Sequence, residues 1–504
     1  MIADISSIKW SQMSVFIVLF VLVTVIGFVA GRWRRGDLGL LDEWGLAGRR
    51  FGTVVTWFLL GGDLYTAYTF IAVPALVFGS GAVGLFAIPY TIIVYPIVYV
   101  TMPKLWQVAR NRGYVTAADF VKDRFDSPTM ALLVALTGIA ATMPYIALQI
   151  FGIKVVIEQM GASAEAAVIT AFVVLAAFTY VSGLRAPALI ALVKDTLIWI
   201  TVLIAVIYIP LKLGGYGAVF SSKAVAKKAN LPYIGFANYA TLAFGSALAL
   251  FLYPHAITGV FASKSQHVIR RNAALLPAYS FLLGLIALLG YMALAAGITP
   301  AHEKANGAVP ALLDHFFAGP LAGFAFAAIA IGALVPASVM SIAAANLFSR
   351  NIWRDFIRPR ASLGEEATVS KILSLAVKGG ALAFILAVPS TDVINFQLAG
   401  GVIMVQTLPA VLMGLYWGWL DRRALIAGWM VGMGTGLLWL SEEKFTKTSH
   451  VFNPLGSKYA MYIGLVSIVL NVLVVLAGSA VAHALGAHRG GERLTEADFE
   501  AAPA

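Results

Sequence analysis

The sequence predicts an all-α polytopic membrane protein with about thirteen transmembrane helices. Of its 504 residues, 60% are hydrophobic and only 12% are charged, and the mean hydropathy is +0.87. A soluble domain usually carries about a quarter charged residues, so a soluble enzyme is excluded. Because one spanning helix needs about 20 apolar residues, the chain has room for more than a dozen. The apolar runs are long rather than alternating, which excludes an outer-membrane barrel.

Thirteen hydrophobic runs separated by polar breaks are the candidate spans. The first run is too long for a cleaved signal peptide, and an arginine cluster follows it directly. The runs cover residues 12–32, 52–80, 83–103, 129–157, 164–183, 186–212, 235–261, 273–298, 317–349, 371–390, 394–418, 423–440 and 459–486.

The distribution of arginine predicts the orientation. Every arginine lies in a loop that follows an odd-numbered span or in the tail. In the loops that follow even-numbered spans, the positively charged residues are all lysines. Since positive residues are enriched in cytoplasmic loops, the N-terminus is predicted to lie outside the inner (plasma) membrane and the C-terminus in the cytoplasm. The arginines are Arg32, Arg34, Arg35, Arg49, Arg50, Arg110, Arg112, Arg124, Arg185, Arg270, Arg271, Arg350, Arg354, Arg358, Arg360, Arg422, Arg423, Arg489 and Arg493.

Residues 1–486 are predicted to form a single transmembrane domain, because no segment outside the membrane is long enough for a second one. The polar tail, 487–504, is predicted to be disordered and cytoplasmic. The sequence has no cysteine, which excludes disulfides and a thiol nucleophile. It has no GxxxxGK[ST] motif, so neither a nucleotide nor an ATP-driven pump is expected. The net charge of +11 fits cytoplasmic loops at a lipid bilayer rather than nucleic-acid binding.

Two spans carry the interruptions that solute transporters use at the membrane midplane. Span 2 contains TWFLLGGDLYTAYTFIAVP, with Gly61 and Gly62 in mid-membrane, and span 7 contains FGSALALFLYPHAITG, with Pro254. These spans lie five apart, as expected if spans 2–6 and 7–11 (about 52–212 and 235–418) are two inverted halves.

A channel and a membrane enzyme are less favoured. The sequence contains neither a selectivity-filter pattern nor a ring-forming acidic cluster. An enzyme would need a nucleophile with a base or a metal cluster, and His255 and Asp63 belong to no hydrolase motif. We therefore predict a secondary transporter and not an enzyme.

Several stretches between about residues 40 and 440 resemble the sodium/solute symporter family. Tyr253-Pro254-His255 resembles the family's Gln-Pro-His, TAADFVKDRF resembles its Thr-x-x-Asp-Phe-x-x-x-Arg-Phe element, and GGVIMVQTLPAVLMGLYWGWLDRRALIAGWMVG resembles its penultimate conserved block. DEWGLAGRRFGTVVTWFLLGGDLYTAYTFIAVPALVFGSGA and MPYIALQIFGIKVV are more similar still to the bacterial monocarboxylate permease branch.

The resemblance implies a 5+5 inverted-repeat (LeuT-like) core and symport of a small monocarboxylate with Na+ or H+. Lactate, pyruvate, short-chain fatty acids and alanine are the substrates it suggests. A Na+-coupled symporter of another small solute, an amino acid or a sugar, is the alternative, and an integral-membrane enzyme is a remote one. Beyond the coupling ion no cofactor is expected, and the partners are a small anionic substrate and the lipid bilayer.

The resemblance also implies a cation site that this sequence fills only in part. Gly61, Leu64 and Gly332 match the family's carbonyl ligands of sodium. Val335 and Pro336 stand where the family has two hydroxyl ligands, and their side chains offer no oxygen.

Two routes could complete the coupling. Either Ser338 and Ser341 supply hydroxyls and sodium binds, or a titrating group takes the ion's place. Lys194 in span 6 is the candidate, since an ammonium can replace a cation and a desolvated lysine releases its proton more readily. The resemblance favours sodium and the local chemistry favours protons, so both remain open.

Two acidic residues are candidates for the cation path. Asp63 resembles the family's acidic residue beside the cation site; a cap on the outer half of a broken helix is the other role, and the two are compatible. Asp195 resembles the family's aspartate on the inward exit path. Lys194 and Asp195 are neighbours, but adjacent residues point about 100° apart on a helix and do not pair automatically.

The predicted substrate pocket has donors but no arginine. A monocarboxylate would be bound by the amide groups and positive dipole ends of the half-helices in spans 2 and 7, with nearby hydroxyl, amide and imidazole groups. The side chains proposed for it are Tyr65, Thr66, Tyr68, Thr69, Gln149, Tyr253, His255 and Gln406.

The orientation can be tested by single cysteines in this Cys-free chain. An impermeant thiol reagent applied outside should label a cysteine in loop 213–234 and leave one in loop 351–366 unlabelled, because only the first is predicted to be external. The reverse pattern would overturn the predicted orientation.

Overall fold

The computed structural model describes residues 7–33, 36–62, 65–301, 304–387, 393–453, 458–486 and 493–500. The described part is helical except for one antiparallel hairpin, β1 (Ser449–Phe452) and β2 (Tyr459–Tyr462). The helices of the first half are α1 Trp10–Val29, α2 Leu41–Leu46, α3 Thr53–Gly62, α4 Val73–Ser80, α5 Ala87–Arg112, α6 Ala117–Phe125, α7 Pro128–Gln159, α8 Ala164–Ser182, α9 Arg185–Lys212, α10 Tyr216–Ser221 and α11 Lys223–Ala226.

The second half begins with another interrupted helix. Its helices are α12 Phe236–Leu250, α13 Pro254–Phe261, α14 Gln266–Leu275, α15 Pro277–Ala295, α16 Ala308–Phe316, α17 Gly319–Phe348, α18 Leu363–Ala387, α19 Val393–Met404, α20 Leu408–Val411, α21 Arg422–Glu442 and α22 Ile463–Ala484.

Both predicted helix breaks are present. Helix α3 ends at Gly62, and helical structure resumes with a π-turn at Tyr68–Ala72 that leads into α4. Helices α12 and α13 are bent by 48° relative to each other. Pro254 begins α13, a position that suits proline because the first amides of a helix have no partner within it.

Helix α17 is the centre of the bundle. It packs against α1, α7, α9, α13 and α18, and almost every residue from Ala322 to Leu347 is buried. Its sequence is rich in alanine and glycine, and small residues let neighbouring helices approach closely in lipid, where association depends on packing.

The predicted number of spans is not confirmed. Ten described helices are long and apolar enough to cross a membrane, and the bent α12–α13 pair makes eleven. The predicted span 52–80 is divided in the structure. Its first part is α3, which has only ten residues, and its second part, from Tyr68, continues through the turn Gly81–Phe86 into α5. Within span 164–183, the apolar stretch Val168–Ser182 of α8 is shorter than the ten spanning helices.

The tail differs from the prediction over residues 493–500. This segment is docked on the ends of α5 and α6 rather than disordered: Leu494 is buried, and the Arg493 amide donates to the Asp123 carbonyl at 3.2 Å. The Arg112 guanidinium donates to both carboxylate oxygens of Asp498, at 2.6 and 2.7 Å. A composition-based prediction misses this contact because it depends on pairings with distant segments, among them the ion pairs Arg112–Asp498 and Arg493–Asp126 and a buried leucine.

The tail contact should be sensitive to salt rather than to physiological pH. Hydrogen bonds from Arg112 hold the pKa of Asp498 at about 2, so the carboxylate stays charged until strongly acid pH. The contact is present above the carboxyl's ordinary pKa and is lost only as pH falls towards 2.

We therefore expect Asp498→Asn, or high salt, to accelerate trypsin cleavage after Arg493, because the ion pair is exposed enough to be screened. Cleavage is followed by mass spectrometry. Glu496→Gln, an exposed residue of the same short helix, is the matched control and should behave as wild type. Equal cleavage in Asp498→Asn and wild type would show that the pair does not hold the tail.

Candidate functional site

Side chains satisfy the backbone where the first broken helix resumes. The Thr66 amide donates to Thr69 Oγ1 at 2.9 Å, and the Tyr68 amide donates to Thr66 Oγ1 at 3.0 Å. The Ala67 amide donates to Gln149 Oε1 at 3.0 Å. Free amides are costly in a bilayer core, so these polar side chains make the break possible. Three of the predicted substrate residues, Thr66, Thr69 and Gln149, thus lie at the break and bond its backbone.

The Lys194 ammonium lies at the carbonyl end of the same break. Lys194 Nζ donates to the carbonyl oxygens of Gly62 at 2.5 Å and Tyr65 at 3.1 Å, and the side chain is fully buried. Carbonyl groups at the end of a helix carry partial negative charge and attract a cation. The ammonium therefore occupies a position between backbone carbonyls of the broken helix.

Lys194 is paired with its neighbour, although adjacent helical residues diverge. Its Nζ lies 2.9 Å from Asp195 Oδ1, and the Tyr279 hydroxyl donates to Asp195 Oδ2 at 2.7 Å. Both charged side chains are fully buried. A buried ion pair persists when its remaining polar atoms are also bonded, as the two carbonyls and the tyrosine achieve here.

Two glycines make room for this arrangement. A Cβ on Gly62 would lie 2.9 Å from Lys194 Nζ, and a Cβ on Gly61 would lie 2.3 Å from the Tyr279 ring. A side chain at either position would displace the group it meets.

Asp63 and Leu64, predicted for the cation site, lie outside the described residues.

The predicted residues of α17 divide between two faces. Gly332 is near the break, since a Cβ built on it would lie 3.9 Å from the Tyr65 carbonyl oxygen. Ser338 follows six residues later, about 120° around the helix at 100° per residue. Its hydroxyl is 3.3 Å from the Thr179 hydroxyl of α8, and the Ser341 hydroxyl donates to the Ser338 carbonyl at 2.8 Å.

A cavity of about 40 Å³ lies between the two broken helices, and it has room for about three water molecules. Two buried polar atoms of its wall, the Tyr253 hydroxyl and Gln397 Oε1, have no hydrogen-bond partner within the described residues. Buried polar atoms are usually bonded, so these two indicate a ligand or water. Its principal lining side chains are Tyr68, Tyr90, Tyr145, Tyr253, Gln397 and Tyr462.

Of the other predicted substrate residues, Tyr68 and Tyr253 line this cavity, whereas His255, Tyr65 and Gln406 do not. The His255 ring is 5.3 Å from the Tyr253 ring, directly beside the wall. Tyr65 faces away, with its hydroxyl donating to the Tyr279 carbonyl at 3.2 Å. The Gln406 amide donates to Ser467 at 2.9 Å, which links α22 to the core instead of reaching the cavity.

Sequence reasoning missed four of the lining side chains. Tyr145 lies in MPYIALQIFG, one helical turn before Gln149, and that spacing would have placed both on one face. Tyr90 and Gln397 are single polar groups within apolar helices and could have been found in the same way. Tyr462 had no such signal, because it lies beyond the repeated core.

Lys378 is a lysine within the apolar part of α18. In the structure its side chain is fully buried in α18, and its Nζ has no hydrogen-bond partner among the described residues. The face of α18 that carries Lys378 packs inwards, so its four-carbon chain does not extend to the interface.

Two broken helices that enclose a buried cavity, with a cation held at a helix break, define a secondary transporter of the inverted-repeat class. The chain belongs to the sodium:solute symporter family, whose model matches residues 44–434. It is 52% identical over 485 residues to a monocarboxylate transport permease protein of Rhizobium johnstonii, covering 94% of this chain and 98% of that protein.

Two further similarities agree with this assignment. An uncharacterised symporter of Bacillus subtilis, YodF, is 36% identical over 82% of this chain and 85% of its own length. The fold matches a substrate-bound, outward-open Na+-coupled sialic acid symporter with a TM-score of 0.75 at 15% identity, covering 94% of this chain and 98% of that chain. The LeuT-like fold and the sodium/solute symporter family are thereby confirmed.

The Tyr279 hydroxyl should stabilise the buried pair. Tyr279→Phe leaves Asp195 Oδ2 without this donor, and loss of a bond to a buried carboxylate costs about 1–3 kcal/mol. We expect a lower thermal-unfolding midpoint in detergent, with Tyr99→Phe, an exposed tyrosine of α5, as the unchanged control. An unchanged midpoint for Tyr279→Phe would mean that the bond contributes nothing to stability.

Proposed function

We propose that this chain is a symporter of small monocarboxylates in which a proton carried by Lys194 is the coupling ion. The observation that carries the proposal is the Lys194 ammonium on the carbonyl oxygens of Gly62 and Tyr65. The substrate class is supported by the 52% identical permease and by the tyrosine-rich wall of the cavity.

The cavity suits an anion that brings one negative charge and few other polar groups. Its wall is mainly tyrosine, with one amide and one serine and no charged side chain. Tyrosine hydroxyls can donate to a carboxylate, and the apolar ring faces can contact a short carbon chain.

A proton on Lys194 can supply the positive charge that a sodium ion supplies at the broken helix in the family at large. The charged ammonium neutralises the carbonyl ends of the broken helix and holds α3 against α9. Loss of the proton leaves a neutral amine, removes that attraction and frees the break to rearrange. In the proposed cycle the proton passes from Lys194 Nζ to water when the site opens, and the contact with the Gly62 and Tyr65 carbonyls is lost with it. Asp195, bonded to both Lys194 and Tyr279, keeps the lysine in place through the cycle.

Sodium is the second candidate. Family membership favours it, the resemblance implies a carbonyl ligand at Gly332, and a Cβ on Gly332 would lie 3.9 Å from the Tyr65 carbonyl oxygen. Against it, Val335 and Pro336 supply no side-chain oxygen. They lie three and four residues after Gly332 and so share its face of α17, whereas Ser338 lies away from it.

The two candidates are separated by uptake of labelled lactate into proteoliposomes under imposed sodium or proton gradients. We expect an inward proton gradient to drive uptake without sodium, and Lys194→Ala to lower the gradient-driven rate about tenfold or more while exchange of lactate for lactate persists. Lys154→Ala, which removes a half-exposed partner of Glu158, is the matched control.

Strict sodium dependence in the wild type, or wild-type proton-driven rates in Lys194→Ala, would overturn the proton mechanism. Lactate uptake absent under both gradients, with protein of normal abundance and unfolding midpoint, would overturn the substrate class instead.

A further inference from the structure

The outer wall of the cavity is completed by a residue from outside the repeated core. Tyr462 is the last residue of β2 and directly precedes α22, beyond the two halves that end near residue 418. Its side chain is 1% exposed and lines the cavity together with residues of α5, α7, α12 and α19.

Three glycines from three helices surround the Tyr462 ring. A Cβ on Gly245 of α12 would lie 2.5 Å from Tyr462 Cδ1, and one on Gly464 of α22 would lie 2.5 Å from its Cε1. A Cβ on Gly401 of α19 would lie 2.9 Å from the hydroxyl oxygen. These distances are too short for any side chain, so the ring fills a socket that only glycine permits.

The hairpin that presents Tyr462 is fastened to one of the broken helices. The Tyr462 amide donates to the Thr241 hydroxyl at 2.9 Å, and the Ser449 hydroxyl donates to Asn238 Oδ1 at 2.6 Å. Thr241 lies one to two turns before Ser246, which lines the cavity. Tyr462 therefore enters from the Phe236 end of α12, the side that the arginine pattern predicts to be external.

We propose that Tyr462 is the specificity-determining residue that closes the outer end of the cavity and limits the length of the carboxylate chain. The inference rests on the proposed function for the identity of the substrate. The rigid ring and its glycine socket fix the wall at this end, so each added methylene of a substrate must displace the ring.

A series of straight-chain acids tests the length limit. Acetate, propionate, butyrate and valerate compete with labelled lactate for uptake by wild type, Tyr462→Ala and Tyr462→Phe. We expect valerate to inhibit Tyr462→Ala at concentrations about tenfold or more below those for wild type, since a methylene in an apolar pocket is worth about tenfold or more. Acetate should be unchanged, and Tyr462→Phe should keep the wild-type length profile because it keeps the ring.

Two further variants separate this role from a merely structural one. Tyr459→Ala removes a half-exposed tyrosine of the same strand that does not line the cavity, and it should retain the wild-type profile. Gly401→Ala places a methyl against the Tyr462 hydroxyl and should weaken lactate uptake. Adding Tyr462→Phe removes the atom that this methyl meets, and should restore uptake.

A length profile for Tyr462→Ala identical to wild type, or no rescue in the double variant, would overturn the proposal. If no acid is transported by wild type or competes with lactate, the proposed function fails. The position of Tyr462 at the outer end of the cavity can then still be tested by a measurement that needs no substrate. Ser246→Cys should react several-fold faster with an impermeant thiol reagent when Tyr462→Ala is added. An unchanged rate would show that Tyr462 does not close the cavity.

Discussion

The structure depends on how a broken helix is stabilised in a medium without water. Helix α3 stops at Gly62, and its last carbonyls would be unsatisfied in lipid. The Lys194 ammonium donates to one of them, that of Gly62, and to the Tyr65 carbonyl beyond the break; Asp195 balances its charge, and Tyr279 bonds the carboxylate in turn. On the other side of the break, Gln149 and the threonine hydroxyls bond the amides. Each of these side chains supplies a hydrogen bond to a buried polar group that water cannot reach.

In the proposed mechanism, this arrangement links Lys194 to the cavity through one stretch of chain. Tyr65 accepts from Lys194 through its carbonyl, and Tyr68, three residues later, lines the cavity. A change in the charge of Lys194 therefore acts on the segment that also forms the cavity wall. In the proposed mechanism this short connection couples proton release to substrate movement, and no distant relay is required.

Much of this could be predicted from the sequence. The double glycine and Pro254 predicted both breaks, and Val335 and Pro336 indicated that a cation site lacked its hydroxyls and drew attention to Lys194. The carbonyl partners are harder to predict, because a break rotates the chain by an amount the sequence does not encode. The resemblance implies a carbonyl role for Gly61 in a sodium site; in the structure the Gly62 carbonyl accepts from the ammonium, and Gly61 makes room for Tyr279. Tyr462 and the docked tail depend on contacts between distant segments, which periodicity does not encode.

The most direct test of the central claim is a cryo-electron microscopy map of the protein in lipid nanodiscs at high sodium concentration. The account predicts continuous side-chain density for Lys194 reaching the carbonyl oxygens of Gly62 and Tyr65, with no separate ion between them. Density for an ion coordinated by those carbonyls, with the Lys194 side chain turned away, would contradict it.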